Sequence, residues 1–272
     1  MQNREQIKNM IHLASKTINE QQEYIDSYVA CLDILAFKTI IRERSAQDIK
    51  TIYNEIRMVD TLFCGTELLN SVPQEVRENL KMTFLSDSII ISITKDINLA
   101  FYGLLLFCML IQHKLLGLRT PILCRGAICV GDFYRCFDKE TDASIIFGSC
   151  LNEAYLLQEE VAIYPRIIIQ DVLFDLEKKK LPKNELAIVN TFTKRSEDAY
   201  WFVDYLKFRM IFLWDGFVDK LSIKKFIKTQ LLENHNERIK QKYLWLKEYY
   251  NESLVTVCEI TGRMLLDEYR IR

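Results

Sequence analysis

Hydrophobic positions divide the chain into helical and extended segments. Apolar residues recur at helical spacing over residues 5–22, which predicts an N-terminal amphipathic helix. The apolar run Tyr28–Leu35 is short and predicts a buried strand. Ser45 and Asp48 then match a helix capping box, and the apolar face continues at helical spacing from Ile49 to Phe63.

The middle of the chain alternates strands with two helices. Residues 82–93 predict a strand or hairpin, and residues 96–116 predict a buried helix. Residues 171–198 are polar and predict irregular structure. The other predicted elements are strands over residues 122–130 (with Phe133 and Tyr134 as a continuation), 145–148, 165–169 and 200–206, and a helix over residues 151–161.

A helical tail completes the pattern. Apolar residues recur every three or four positions from Ile239 to Met264, as one long helix or two. Periodicity leaves open whether this stripe packs on the same chain or on a second copy. The element order predicts an α+β or α/β fold, with strands inside and helices on one side, and we expect the α+β class. We expect an N-terminal helix over residues 1–26, a central domain over residues 27–210 and a helical extension over residues 211–272.

Charge and length narrow the function. The chain has 272 residues, with 36 Lys and Arg against 37 Asp and Glu, for a net charge of -1. This balance argues against a dedicated nucleic-acid-coating protein. It leaves room for a small anionic ligand held by a few groups.

Cysteine usage predicts a reducing compartment. The 8 cysteines contain no C-x-x-C pair and mostly lie in apolar runs, where free thiols act as small hydrophobes. The polar first residues do not resemble a signal peptide, and the longest apolar run, Leu99–Ile111, is too short to span a bilayer. We therefore expect a cytoplasmic protein without a membrane span.

Two carboxylates lie in apolar surroundings. Asp33 and Asp87 each interrupt a predicted strand, and neither segment contains a Lys or Arg. A carboxylate buried in a strand is costly unless a positive charge pairs with it. Divalent cations shared with a phosphate would supply that charge. The alternative is that each Asp is a strand-end or turn residue, and the residues alone weigh the two interpretations evenly.

Three segments in register resemble one enzyme family. Cys31–Phe37 (CLDILAF) resembles the F-x-D-I-x-G-F opening of class III nucleotidyl cyclases. Leu85–Asp87 is similar to their second metal strand, and Phe147–Ala154 (FGSCLNEA) to their F-G-x-x-V-N-x-A helix. The resemblance covers about residues 27 to 170. Details such as Arg125–Ile128 (RGAI) look most like the Pycsar antiphage pyrimidine cyclases.

The resemblance implies a ferredoxin-like palm and a two-metal mechanism. Asp33, Ile34 and Asp87 would hold two Mg²⁺ or Mn²⁺ ions. The turn that carries Phe37 and Lys38 would offer backbone N–H groups to the phosphates of a nucleoside triphosphate. The product would be a cyclic nucleotide that signals in antiphage defence.

The family assembly implies a shared site. Asn152 would act from the partner chain of a homodimer, on the ribose or the transition state. A nucleoside triphosphate is therefore the implied partner, together with a second copy of this chain, and nucleic acid is not.

The chain departs from the family pattern at three positions. Ala36 and Ser86 replace glycines, and Leu156 stands where the family carries a transition-state Arg. An Arg that stabilises developing phosphate charge is a major catalytic contribution. Candidates to replace it are Arg125, Arg166, Lys38 and Lys207, and the sequence does not choose among them. A catalytically silent nucleotide-binding scaffold therefore remains the alternative function, and an interaction module built on the helical tail is a third.

The positions that read the base favour a pyrimidine. Purine-specific relatives use a charged residue four positions before the second metal Asp, where this chain has Thr83. The other reading position is Ile145, which cannot hydrogen-bond an exocyclic amine. We expect UTP or CTP as the substrate, with UTP slightly ahead. Gly131-Asp132 also imitates a metal pair, and we interpret Asp132 as a turn residue instead.

Overall fold

An antiparallel sheet with the strand order β2-β3-β1-β4 lies at the centre of the protein. The computed structural model describes residues 23–59, 71–138, 143–212 and 217–272. The predicted helix over residues 5–22 and the end of the apolar face at Phe63 lie outside the described residues. The same holds for residues 139–142 of the polar turn that the sequence predicts over residues 138–142.

Eight strands and ten α-helices form the described part of the chain. The strands are β1 (Ile25–Ile34), β2 (Lys81–Leu85), β3 (Ser88–Thr94), β4 (Cys124–Asp138), β5 (Ala143–Phe147), β6 (Ile167–Ile169), β7 (Thr193–Arg195) and β8 (Trp201–Val203). The helices are α1 (Phe37–Glu43), α2 (Ala46–Arg57), α3 (Gln74–Asn79), α4 (Ala100–Leu116), α5 (Ser149–Glu160), α6 (Asp171–Lys178), α7 (Lys183–Thr191), α8 (Tyr205–Phe212), α9 (Phe217–Glu233) and α10 (Glu237–Thr261).

The first four strands confirm the predicted α+β fold. Along the chain they run β1-α-β2-β3-α-β4, and in space β1 lies between β3 and β4, with antiparallel pairing throughout. This is the ferredoxin-like arrangement. Beyond β4 the sheet continues through β6, β8 and β7, and β6 pairs parallel with β4.

Both faces of β1 are covered. Tyr28, Ala30 and Leu32 belong to the main core with α4, whereas Val29 and Cys31 pack in a second cluster with α5. Since alternate strand residues point to opposite faces, α4 and α5 lie on opposite sides of the sheet. The expectation of helices on one side only was therefore wrong.

The segment over residues 171–198 is ordered, contrary to the prediction of irregular structure. It contains α6, α7 and β7, and α6 buries Leu173 and Phe174. The apolar faces of α6 and α7 contain few residues within a polar stretch, so the helical spacing of those residues is hard to recognise in the sequence. The predicted strand over residues 200–206 is shorter, because Asp204 accepts a hydrogen bond from the backbone N–H of Lys207 at the start of α8.

The helical tail consists of two helices, and α10 packs on the same chain. Its apolar stripe buries Leu246, Tyr250 and Leu254. Tyr249 ties the helix to the domain, since its hydroxyl donates to Asp204 at 2.7 Å and accepts from the backbone N–H of Leu206 at 3.1 Å. No helix in the described ranges is both long and apolar enough to cross a membrane.

The described thiols confirm the structural interpretation of the cysteines. Six are buried, and burial raises the pKa of the Cys31 and Cys150 thiols to about 12. Cys136 on β4 is the partly exposed one among those described. The buried thiols therefore act as core residues.

Candidate active site

The two predicted metal ligands meet at one end of the central sheet. Asp33 is the penultimate residue of β1, and Asp87 lies in the two-residue turn between β2 and β3. The backbone N–H of Ile34 donates to the carbonyl of Asp87 at 3.0 Å, which joins the strand end to the turn. Ile34 itself is buried in the core.

The Asp33 carboxylate is mostly buried and has an Arg partner. Arg125 on β4 stands opposite Asp33 in the register, and its Nε donates to Oδ2 at 3.0 Å. The exposed fraction of the side chain is 17% for Asp33 and 13% for Arg125. Burial raises the pKa of Asp33, Arg125 opposes that rise, and the charges of Asp87 and Glu159 add to it. Asp87 is thus close enough to affect the protonation of Asp33.

Arg125 also ties the site to α5. Its Nη2 donates to Glu159 at 2.7 Å, and its Nη1 donates to the carbonyl of Gln158 at 3.2 Å. Part of the positive charge that a divalent cation was expected to supply at Asp33 therefore comes from Arg125. Arg125 lies on a neighbouring strand and is distant from Asp33 in the sequence, so the residues around Asp33 do not reveal it.

Lys242 brings a second cation from the helical tail. Burial lowers the pKa of Lys242, and so does the charge of Arg125, whereas Asp33 and Glu159 oppose that lowering. Lys242 on α10 therefore lies within electrostatic reach of the carboxylates. Lys242 could not be singled out from the sequence, because it is one charged residue in a helix rich in them.

The donor set fits a hard divalent cation. Asp33, Asp87 and the Ile34 carbonyl would offer only oxygen, which Mg²⁺ prefers. Within the described ranges, no group of three or more His, Cys, Asp or Glu side chains is placed to hold a metal. Phosphate oxygens of a substrate would have to complete the coordination.

Left-handed backbone marks both turns of the site. Ala36, the N-cap of α1, has φ 61°, and Ser86 in the β2–β3 turn has φ 55°. These are the two positions where the family pattern has glycine, which adopts this conformation without steric cost. The backbone thus keeps the shape that the missing glycines would allow.

Tyr53 on α2 braces the two turns. Its hydroxyl donates to the carbonyl of Ser86, and its ring packs edge-on against Phe37 at 6.4 Å and Phe84 at 5.0 Å. Phe37 is buried, so it can offer a phosphate only its backbone, whereas Lys38 is exposed. Tyr53 is a positioning residue that the sequence did not single out.

The remaining predicted residues lie apart from this cluster. Asn152 is exposed on α5, about 10 Å along the helix axis from Glu159, at 1.5 Å rise per residue. Ile145 on β5 is half exposed, and Thr83 accepts a hydrogen bond from Arg135 at 2.7 Å. In one chain, therefore, Asn152 and Ile145 do not join Asp33 and Asp87.

Asp132 lies in β4 rather than in a turn. It stands opposite Asp26, seven residues along β4 from Arg125, which stands opposite Asp33. The turn interpretation was wrong, because β4 continues without interruption past Gly131. The separation keeps Asp132 away from the Asp33 end of the sheet.

No family model and no curated protein matches this sequence. Among solved structures, the guanylyl cyclase domain of the RhoGC fusion protein from the fungus Blastocladiella emersonii, described as a non-canonical dimer, is 15% identical, with a TM-score of 0.47 over 66% of this chain and 95% of that one. The guanylate cyclase domain of RhGC from Catenaria anguillulae in complex with GTP is 15% identical, with a TM-score of 0.47 over 67% and 98%. Adenylate cyclases from Trypanosoma brucei are 11% identical, with a TM-score of 0.47 over 66% and 90%. At these TM-scores the function of this chain has to be inferred from its own residues.

Glycine at either left-handed turn should stabilise the protein. A left-handed conformation costs an L-residue roughly 1–2 kcal/mol, and a substitution by glycine relieves that strain. Part of this stabilisation is lost again, because glycine loses more conformational entropy on folding. Ala36→Gly and Ser86→Gly should each raise the free energy of unfolding in urea by about 0.5–1 kcal/mol. Ala187→Gly, inside α7, is the matched control and should lower it by about 1 kcal/mol. A lower free energy of unfolding in all three variants would contradict the left-handed conformation at Ala36 and Ser86.

Removing Arg125 should cost far more than removing an exposed Arg. Arg125→Gln leaves the buried Asp33 without its cation, so the free energy of unfolding should fall by about 3 kcal/mol at neutral pH. Arg42→Gln breaks an ion pair whose side chains are 76% and 63% exposed, and should change it by about 0.5 kcal/mol or less. Equal effects in urea titrations would show that the Asp33 pair contributes nothing special.

Proposed function

We propose that this chain is a nucleotidyl cyclase that converts a pyrimidine nucleoside triphosphate, UTP or CTP, to its 3′,5′-cyclic monophosphate and pyrophosphate. The observation that carries the proposal is the meeting of Asp33 and Asp87 at the end of β1, inside a ferredoxin-like sheet. The segment around each Asp resembles the corresponding metal segment of class III cyclases. A second messenger made in this way would serve antiphage defence, as the finer resemblance implies.

The reaction forms one bond and breaks one. The ribose O3′ gives its proton to water and attacks the α-phosphorus, and the bond from the α-phosphorus to the bridging oxygen breaks to release pyrophosphate. Asp33 and Asp87 would hold Mg²⁺ or Mn²⁺, which lowers the pKa of the attacking hydroxyl and neutralises the leaving group. The backbone from Leu35 to Lys38 would bind phosphate oxygens.

Cations of this chain would offset the missing transition-state Arg. Leu156 at that position is exposed on α5. Arg125 pairs with Asp33, and Lys242 lies within electrostatic reach of it, so both can stabilise charge that develops on the phosphates. Of the candidates from the sequence, Arg166 is tied to Asp198 and Ser196, and Lys207 to Asp204. Those two are therefore committed elsewhere.

A homodimer would complete the site. Asn152 lies too far along α5 to reach the Asp33 of its own chain, so it would serve a second copy of this chain. Several large apolar residues on the same helix and on the β4–β5 hairpin are exposed, as expected of an interface. They are Phe137, Ile145, Phe147, Tyr155 and Leu156.

One observation favours the alternative, a catalytically silent nucleotide-binding scaffold. Arg125 already neutralises Asp33, and a metal would have to share that carboxylate with it or displace it. Pyrophosphate release from triphosphates with Mn²⁺ separates the two functions, since a scaffold would bind nucleotide without releasing any.

Removing either metal ligand should abolish turnover without unfolding the protein. Asp33→Ala and Asp87→Ala should each lower the rate of pyrophosphate release by at least about a hundredfold, because charge stabilisation at the phosphates is lost. The urea midpoint of Asp87→Ala should stay near that of the wild type, and Asp33→Ala should stay folded, because Arg125 keeps its hydrogen bonds to Glu159 and to the carbonyl of Gln158. Asp132→Ala is the matched control and should keep full activity. Activity retained in either of the first two variants would refute the site.

Mixing two inactive chains should restore activity if the site is shared. In a heterodimer of Asp87→Ala with Asn152→Ala, one of the two sites has its aspartates from one chain and its Asn from the other. Up to about one quarter of wild-type turnover is expected for random pairing, since half the dimers are mixed and each has one intact site. Mass spectrometry of differently tagged chains must first show subunit exchange. Exchange without recovered activity would contradict a shared site.

A further inference from the structure

A second polar centre lies on the sheet, away from Asp33. It lines a cavity of about 840 Å³ bounded by β2, β3 and the β4–β5 hairpin. Three cationic residues, Arg57, Lys81 and Arg135, line this cavity, and no Asp or Glu does. Its chemistry therefore favours a ligand that presents hydrogen-bond acceptors.

One guanidinium nitrogen of Arg135 has no hydrogen-bond partner among the described residues. Its Nη1 donates to the hydroxyl of Thr83 at 2.7 Å and its Nε to the hydroxyl of Ser92 at 3.2 Å. Its Nη2 is buried and has no hydrogen-bond partner within the described residues. Orphaned buried donors are rare in native proteins, and each calls for an explanation such as an absent ligand.

The position of Arg135 matches the base end of the proposed nucleotide site. Its partner Thr83 lies four residues before Asp87 on β2, which is about 13 Å of extended chain. Ile145, the other position expected to read the base, stands opposite Cys136, the residue after Arg135. Arg135 therefore adjoins both positions expected to read the base. Thr83 and Ser92 fix two arms of the guanidinium, so the third is oriented before any ligand binds.

We propose that Arg135 donates to the carbonyl oxygen that uracil carries at C4 and guanine at C6, and so makes the site select a base with a keto group at that position. The inference rests on the proposed function, because it takes the phosphates to lie at Asp33 and Asp87. A guanidinium has no acceptor. It pairs with the O4 of uracil or the O6 of guanine, and it meets the amino group of cytosine or adenine donor against donor. Among pyrimidines, Arg135 therefore selects UTP over CTP.

The test compares four triphosphates in three proteins. Dissociation constants and rates of pyrophosphate release are measured for UTP, CTP, GTP and ATP with Mn²⁺, in the wild type, Arg135→Gln and Arg57→Gln. The wild type should favour UTP over CTP by about tenfold to a hundredfold in affinity, as one good base contact does. Arg135→Gln should erase that ratio, mainly by weakening UTP. Arg57→Gln removes an exposed cation of the same cavity and should leave the ratio unchanged.

The outcomes separate this inference from the proposed function. Equal losses for UTP and CTP in Arg135→Gln would overturn it, because Arg135 would then act only as a charge. A wild type without preference between keto and amino bases would overturn it as well. UTP selectivity in binding without any pyrophosphate release would support Arg135 while refuting the cyclase. Selection of GTP over ATP that depends on Arg135 would support the carbonyl contact and contradict the pyrimidine substrate.

A second variant covers a folding defect in Arg135→Gln. Thr83→Val removes the acceptor that orients Nη1 and leaves the guanidinium in place. The UTP to CTP ratio should then narrow by about three- to tenfold, in a protein whose circular dichroism matches the wild type. An unchanged ratio in a folded Thr83→Val protein would refute the orienting contact and, with it, the selection.

Discussion

Much of the structure around the site depends on the cost of burying one carboxylate. Asp33 lies near the end of the central strand, with main-chain partners on both sides and little access to water. An unpaired charge there would be strongly destabilising. Arg125 on β4 forms an ion pair with Asp33, and Glu159 on α5 forms a second ion pair with Arg125. Lys242 on α10 lies within electrostatic reach of Asp33. The charges that interact with Asp33 thus come from β4, from α5 on one face of the sheet, and from α10 in the helical tail.

The features set by local sequence were predictable. The strand around Asp33, the hairpin around Asp87 and the buried helix α4 each follow from a short apolar run with its own period and boundaries. The α+β class was predictable too, because the order of strands and helices does not change when the predicted ends of an element are off by a few residues. Apolar runs with clear boundaries therefore predicted most of the central sheet.

Features that depend on register or packing could not be predicted. The pairing of Asp33 with Arg125 needs the alignment of two strands 92 residues apart in sequence. The orphaned donor of Arg135 needs the curvature that brings the β4–β5 hairpin over β2. Helices α6 and α7 were missed because tertiary burial of a few apolar residues, such as Phe174, outweighs a polar average. Single-sequence patterns contain no information on such contacts.

The partial exposure of Cys136 has a practical consequence for chemical labelling. Thiolates rather than thiols react with alkylating reagents. Burial shields the other described cysteines, and it raises the pKa of five of them, Cys31, Cys108, Cys124, Cys129 and Cys150. Cys136 stands next to Arg135 and opposite Ile145 in the β4–β5 hairpin. Of the thiols that the structure describes, it is the natural attachment point for a fluorophore or spin label. A probe there would report, without any engineered cysteine, when another molecule covers the hairpin.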